Sequence, residues 1–188
     1  MNTLDTIRIR KSVRSYQEKA VETDKIKAVA EAGNMAAATQ MAGKVYFNVV
    51  SNREILSQLT EATKAVMQKS GIEMLVKISS NPAYDPIYHA PVAVVISTDK
   101  TDNPGNEGMA KANAACAGEN MLLAATELGL GSCYLESPTL AFNDPAVCAA
   151  VKLPENVHPQ AVIVFGYTDD TAPHSEYPGD PNNITYIS

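Results

Sequence analysis

The sequence contains no tryptophan and only three cysteines among its 188 residues. Cys116, Cys133 and Cys148 are odd in number and far apart, which fits neither a disulfide framework nor a zinc-binding spacing. We therefore expect no metal site, and we expect each cysteine to be a small core residue in a reducing cytosol.

Long apolar runs are also missing. The N-terminal segment lacks the apolar stretch of a signal peptide, and the most apolar part of the chain, residues 90–97, is far shorter than the ~20 residues of a membrane helix. These features predict a cytoplasmic protein that does not associate with membranes.

Basic residues are scarce: 15 lysines and arginines stand against 21 acidic residues, for a formal net charge of -6. Because an acidic chain is repelled by phosphate backbones, nucleic-acid binding is disfavoured. Hydrophobic residues make up 45% of the chain, which together with its length predicts one folded domain. Neither a G-x-G-x-x-G segment after a strand nor a G-x-x-x-x-G-K-[ST] loop occurs, so two common nucleotide-binding motifs are absent from the sequence.

What is present is an alternation of helical and extended patterns. Ser51 and Glu54 have capping-box spacing and are predicted to open one of the helices. The order of elements leaves both a doubly wound sheet and a mixed α+β sheet possible. The predicted helices cover 3–9, a segment starting near Thr23 or Asp24, a segment after Ser51, 106–128 and 144–151, and the predicted strands cover 45–50, 91–98, 132–135 and 157–166.

The basic residues cluster once, at the end of the first predicted helix. Arg10, Ser12 and Arg14 alternate, so an extended backbone would place them on one side. Two guanidinium groups and a hydroxyl suit a phosphate dianion, and Lys11 could add charge from the flank. A solvated basic stretch is the other interpretation, and for this short motif taken alone it is the favoured one.

Four segments together resemble the nitroreductase family, and they follow one another in that family's order over nearly the whole chain. In chain order, the first two are Arg10-Lys11-Ser12-Val13-Arg14 and Tyr88-His89-Ala90-Pro91. The third is Asn120-Met121-Leu122-Leu123-Ala124-Ala125 together with Leu128-Gly129-Leu130-Gly131-Ser132-Cys133, and the fourth is the Gly166-Tyr167 pair after the last predicted strand.

The resemblance implies an α+β fold with a mostly antiparallel central sheet flanked by helices. It also implies an intertwined homodimer in which residues 1–188 form a single FMN-binding domain and residues 167–188 form a C-terminal tail that packs on the partner subunit. The resemblance implies that the FMN phosphate contacts Arg10, Lys11, Ser12 and Arg14. It implies that the flavin ring lies along Tyr134, Leu135, Glu136 and Ser137, with a backbone amide near Glu136 donating to flavin N5. The segment with Ala38, Thr39 and Met41 is implied to reach the flavin from the other subunit.

Two segments depart from the family's usual pattern. Met41 stands where members often have asparagine, and Val45 stands where they often have tryptophan. Near the C-terminus, His174 and Glu176 occupy positions where two basic residues commonly bind the phosphate. His174 is retained as an expected cofactor contact, while Glu176 brings a negative charge to the same region.

The activity implied by the resemblance is hydride transfer from NADH or NADPH through FMN to a nitroaromatic, quinone or flavin, in a ping-pong sequence. No side chain is expected to act as a catalytic acid or base, because the flavin performs the transfer. Glu119 and Asn120 are interpreted as packing residues at a subunit interface rather than as flavin contacts. A flavin-binding carrier or sensor without turnover of its own is the alternative function.

Overall fold

A four-stranded antiparallel sheet forms the centre of the fold. The computed structural model describes residues 2–170 and 179–187. Strands β1 (Val45–Val50), β2 (Val92–Asp99), β3 (Gly131–Leu135) and β4 (Val157–Gly166) lie in the order β1-β2-β4-β3, and each neighbouring pair is antiparallel. The α+β prediction is therefore confirmed, and the doubly wound alternative is wrong.

Helices cover both faces of this sheet. Helices α2 and α5 pack on one face, and α3 and α6 lie over the other. The described residues also form short 3-10 segments at 40–42, 137–143 and 181–183. The α-helices are α1 (Thr3–Ile9), α2 (Thr23–Asn34), α3 (Arg53–Lys69), α4 (Glu73–Ser79), α5 (Pro104–Glu127) and α6 (Pro145–Ala150).

The central strands β2 and β4 carry continuous apolar runs, residues 92–96 and 161–165, because both of their faces are covered there. Val95 of β2 belongs to the same buried cluster as Leu59 of α3. Its neighbour Val94 points the other way and belongs to a second cluster with Met121 of α5. The sheet is therefore sandwiched between two hydrophobic cores, and nonpolar side chains are required at successive positions rather than at alternate ones.

Helix α5 is the longest element and lies close to β3. Asn103 caps its start by accepting a hydrogen bond from the Gly105 amide, and Gly129, with φ +74°, follows its end. At Gly118 an added Cβ would lie 2.7 Å from Cε2 of Tyr134, so only glycine permits this approach. In residues 2–170 and 179–187, neither α5 nor any other helix combines the length and apolarity needed to cross a bilayer.

Most predicted elements are confirmed to within one or two residues, but three details were wrong or missed. The side chain that caps α3 is Asn52, which accepts from the amides of Glu54 and Ile55, so the predicted capping role of Ser51 is wrong. Cys116 is exposed on the outer side of α5 rather than buried in the core. Helix α4 was not predicted, because Ile72 precedes it and no side chain caps its start, so the sequence lacks the usual start signal.

The contact between Gly118 and Tyr134 gives a test of this packing. We expect Gly118→Ala to destabilise the protein by about 1–3 kcal/mol, because the new methyl group overlaps an aromatic ring that cannot yield locally. Urea unfolding measures the change. Gly108→Ala in the same helix is the matched control, since no heavy atom lies within 4 Å of its added Cβ, and it should stabilise by up to about 1 kcal/mol. Equal effects of the two substitutions would contradict the proposed contact.

Candidate functional site

The basic segment 10–14 runs in extended backbone along the start of β3. Ser12 forms a parallel bridge with Ser132, and the Val13 amide donates to the Ser132 carbonyl at 2.8 Å. Val13 is 2% exposed, whereas Ser12 and Arg14 on either side of it are exposed. The predicted alternation is therefore present at these positions, with the apolar side chain inward and the polar ones outward.

The chain that leaves β4 holds the residues that directly follow this segment. The Gln17 amide donates to the Tyr167 carbonyl at 2.8 Å, and the Thr168 hydroxyl donates to the Ser15 carbonyl at 2.8 Å. The basic segment is thus fixed between β3 and residues 167–170. A backbone anchored on both sides can present its side chains in a defined arrangement.

Two carboxylates contact the cations of this segment. Nε of Arg10 lies 3.4 Å from Oε1 of Glu119 on α5, and Nζ of Lys11 lies 2.7 Å from Oδ1 of Asp170. Carboxylate and phosphate oxygens make the same kind of charge-assisted hydrogen bond with these groups. The residues present are therefore suited to a phosphate. Within this chain the side chain of Glu119 pairs with Arg10, and its place at a subunit interface stays a prediction.

Two of the four predicted ring-binding residues line a cavity of about 480 Å³ at the other end of β3. The side chain of Leu135 is instead buried in the core on the opposite face, and Ser137 does not line the cavity. Tyr134 is partly buried and Glu136 is exposed, and both line this cavity. Burial and the nearby charge of Glu136 raise the pKa of Tyr134, so its phenol stays protonated at neutral pH. The volume is in the range of small-molecule sites. The other lining residues are Lys111, Ala112, Ala115, Thr139, His158, Pro159 and Gln160.

Strand β3 connects the two halves of the candidate site. The bridge at Ser132 marks the basic end, and Glu136 lies four residues further on, or about 13 Å at the rise of an extended strand. That separation is on the order of the length of one mononucleotide. The structure therefore places Arg10, Lys11, Ser12 and Arg14 along the same strand as Tyr134 and Glu136.

Tyr84 lines a different cavity but contacts a predicted ring residue, and sequence reasoning missed this contact. It follows the Asn81-Pro82 turn, and its hydroxyl hydrogen-bonds with Ser137, a predicted ring residue. Burial raises the pKa of Tyr84, so this hydroxyl also stays protonated. The turn residues indicated only a loop, and no local pattern showed that the loop returns to the end of β3.

The segment with Ala38, Thr39 and Met41 is held elsewhere in the chain. Ala38 and Thr39 line a different cavity, of about 310 Å³, and among the described residues they are not brought together with Tyr134 and Glu136. Met41 is 71% exposed in the short 3-10 turn. The predicted contact residue His174 lies outside the described residues.

Both ends of this segment are anchored by side chains. Asn113 of α5, which is 4% exposed, accepts from the Thr39 amide at 2.9 Å and donates to the Thr39 carbonyl at 3.0 Å. At the other end Asp99 accepts from the Lys44 amide at 2.8 Å and from the Tyr46 hydroxyl at 2.9 Å. These two hydrogen bonds, the first in particular, lower the pKa of Asp99. The segment is therefore a fixed platform that presents Met41 to solvent.

Comparison with known proteins identifies a family model and relatives that this chain resembles. A family model described as the nitroreductase family matches residues 7–167. A Methanothermobacter thermautotrophicus protein that carries the provisional name NADH dehydrogenase/NAD(P)H nitroreductase is 27% identical over 98% of this chain and 86% of its own length.

Solved structures show the same fold. The crystal structure of a Bacteroides fragilis nitroreductase with bound FMN is 31% identical, covers 100% of both chains and has a TM-score of 0.88. A Desulfitobacterium hafniense nitroreductase with bound FMN also covers 100% of both chains, with 24% identity and a TM-score of 0.83; at that identity the likeness concerns the fold alone.

Removal of the Asn113 side chain tests how the Met41 platform is anchored. We expect Asn113→Ala to lower the free energy of unfolding by about 1–3 kcal/mol, because the Thr39 amide and carbonyl both lose their partner. Asn120→Ala is the matched control on the same helix. Asn120 makes one bond, to the Ala32 carbonyl, so its loss should cost about 0.5–1.5 kcal/mol. If urea unfolding showed a smaller loss of unfolding free energy for Asn113→Ala than for Asn120→Ala, the proposed anchor of two hydrogen bonds would be wrong.

Proposed function

The chain belongs to the nitroreductase family, and from that membership we propose that it is an NAD(P)H-dependent FMN oxidoreductase that reduces a small oxidised acceptor. The observation that carries this proposal is the bridge between Ser12 and Ser132. It aligns a cluster of cations with the strand that leads to the ring-sized cavity. A nitroaromatic, a quinone or a flavin is the proposed acceptor.

Binding of FMN would be divided between the two ends of β3. Arg10, Lys11 and Arg14 supply charge for the phosphate, and the exposed hydroxyl of Ser12 supplies a further donor. Tyr134, Leu135, Glu136 and Ser137 would lie along the ring. The FMN bound by the Bacteroides fragilis nitroreductase, which resembles this chain over its full length, supports the assignment of the cofactor.

The chain's own residues would bind and orient the reactants. When bound, FMN supplies the redox chemistry by taking up a hydride equivalent from NAD(P)H and giving it to the acceptor. The cavity beside Tyr134 and Glu136 would receive the two substrates in turn, which gives a ping-pong sequence. No side chain is assigned the role of a catalytic acid or base. Tyr134 stays protonated, so its hydroxyl is able to donate a hydrogen bond as well as to accept one.

A homodimer is part of the proposal, with residues 1–188 as one domain. In the proposed C-terminal tail, residues 167–188, the side chains of Ile184, Tyr186 and Ile187 are 58%, 88% and 95% exposed. Exposed apolar side chains of this size gain stability when another surface covers them. We propose that the partner subunit covers them and that Ala38, Thr39 and Met41 reach the partner's flavin. The contact of His174 with FMN and the cytoplasmic location stay predictions.

A spectroscopic experiment tests the cofactor and the activity together. The protein, incubated with FMN and freed of excess ligand, should show a flavin absorbance spectrum, and NADH or NADPH should bleach it in the absence of air. Heat-released ligand should have the mass of FMN. FAD, or no flavin at all, would contradict the cofactor. A bound flavin that neither nicotinamide bleaches would favour the carrier or sensor function instead.

Light scattering tests the dimer. We expect a mass of about 40 kDa at micromolar concentration, twice the 20.1 kDa of one chain. The same measurement with Ile184→Ser and Ile187→Ser together should show a larger fraction of monomer, because two exposed apolar side chains are removed from the proposed interface. A mass of about 20 kDa for the unaltered protein would contradict the proposal.

A further inference from the structure

We propose that Glu119 and Asp170 are competing counter-anions that weaken FMN binding; this inference rests on the proposed FMN site. Each carboxylate contacts a cation that the phosphate would use. A phosphate can bind Arg10 and Lys11 only by displacing these carboxylates or by lying beside them. Either event costs free energy that a site without the two acids would not lose.

The pair between Arg10 and Glu119 is a product of the tertiary fold. The two residues are distant in the sequence, and Glu119 projects from α5 toward the basic segment that runs along β3. The side chain of Arg10 is 22% exposed and that of Glu119 is 52% exposed. The cation is therefore mostly sheltered, while the carboxylate keeps enough contact with water to move away when another anion arrives.

The pair between Lys11 and Asp170 is closer and more deeply sheltered. Their charged atoms are 2.7 Å apart, and the side chains are 15% and 35% exposed. The Asp170 amide donates to the Thr168 hydroxyl at 3.0 Å, and that hydroxyl donates to the Ser15 carbonyl. Asp170 is thus held in place by the same residues that anchor the basic segment, which makes it the stronger competitor of the two.

The size of the effect follows from the exposure of the pairs. Partly exposed ion pairs contribute modestly, so removal of one carboxylate should tighten FMN binding by about twofold to fivefold. Because Arg10 and Lys11 are adjacent and would share one phosphate, the two effects are coupled, and the double variant should bind FMN more tightly than either single variant without reaching a set product. The effect should depend on the phosphate, since neither acid lies among the residues lining the ring cavity.

Fluorescence titration of the apoprotein tests the inference, with Glu119→Gln, Asp170→Asn and the double variant compared with the unaltered protein. Both substitutions keep the shape of the side chain and remove its charge. We expect each to tighten FMN binding by about twofold to fivefold and the double variant to bind FMN more tightly than either single variant. Riboflavin, which has the same ring but no phosphate, should bind all four proteins equally.

Glu61→Gln is the matched control variant. Glu61 is exposed on α3, on the opposite face of the sheet from α5, so its substitution changes the net charge equally without touching the basic segment. Its affinity for FMN should equal that of the unaltered protein. Inorganic phosphate provides a second probe that does not require flavin binding. It should raise the thermal unfolding midpoint of the double variant more than that of the unaltered protein.

The outcomes separate this inference from the proposed function. Unchanged or weaker FMN binding by both single variants would overturn the inference while leaving the FMN enzyme intact. Equal tightening of FMN and riboflavin would also overturn it, because the phosphate would not be the group involved. Failure of every protein to bind either flavin would instead overturn the proposed function, and the inference with it.

Discussion

Strands β2 and β4 are buried on both faces, and the positions of the helices follow from this constraint. A sheet whose central strands are apolar on both sides must be covered twice, so α3 and α5 are required to lie on opposite faces. Burial of this area supplies most of the stability, while the conformation of loops and termini contributes little to it. The short strand β3 lies at the edge of the sheet, so its outer side is open to pairing with another segment. It is long enough to pair with β4 on one side and to receive Ser12 on the other.

Helix α5 packs on the buried sheet and also carries residues that contact the candidate site. The buried side chains of α5 fix how the helix is rotated and placed against the sheet. Three of its other residues then make specific contacts. Asn113 holds the Met41 platform through the backbone of Thr39, Gly118 admits the ring of Tyr134, and Glu119 reaches Arg10. Because these residues share one rigid helix, a shift of α5 would move both cavities together. Residues on a regular element are positioned more accurately than residues on a loop, which suits a site that must align a flat ring.

The sequence predicted those features that local patterns encode. The bounds of β4 were predicted to the residue because its apolar run, residues 161–165, ends at a glycine, and Val157 begins the extended pattern before it. The basic segment was found because its charges are consecutive. Glu119 and Asp170 were not assigned to the site because their partners lie far away in the chain, 159 residues away for Asp170. The cap of α3 shows the same limit at short range: Ser51 and Asn52 are both suitable capping residues, and the choice between them depends on where the strand β1 ends.

The balance of charge in the site joins stability to cofactor binding. The chain has a formal net charge of -6, yet Arg10, Lys11 and Arg14 are concentrated in one short segment that is anchored on both sides. Cations held this close repel one another, and two of them are partly removed from water, so the fold is more stable when acids lie beside them. Glu119 and Asp170 meet that need with side chains from α5 and from the segment after β4. The same contacts place negative charge where the proposed phosphate would bind. Stability without the cofactor and affinity for it therefore make opposite demands on these two positions, and a carboxylate that can move aside satisfies the first at a moderate loss in the second.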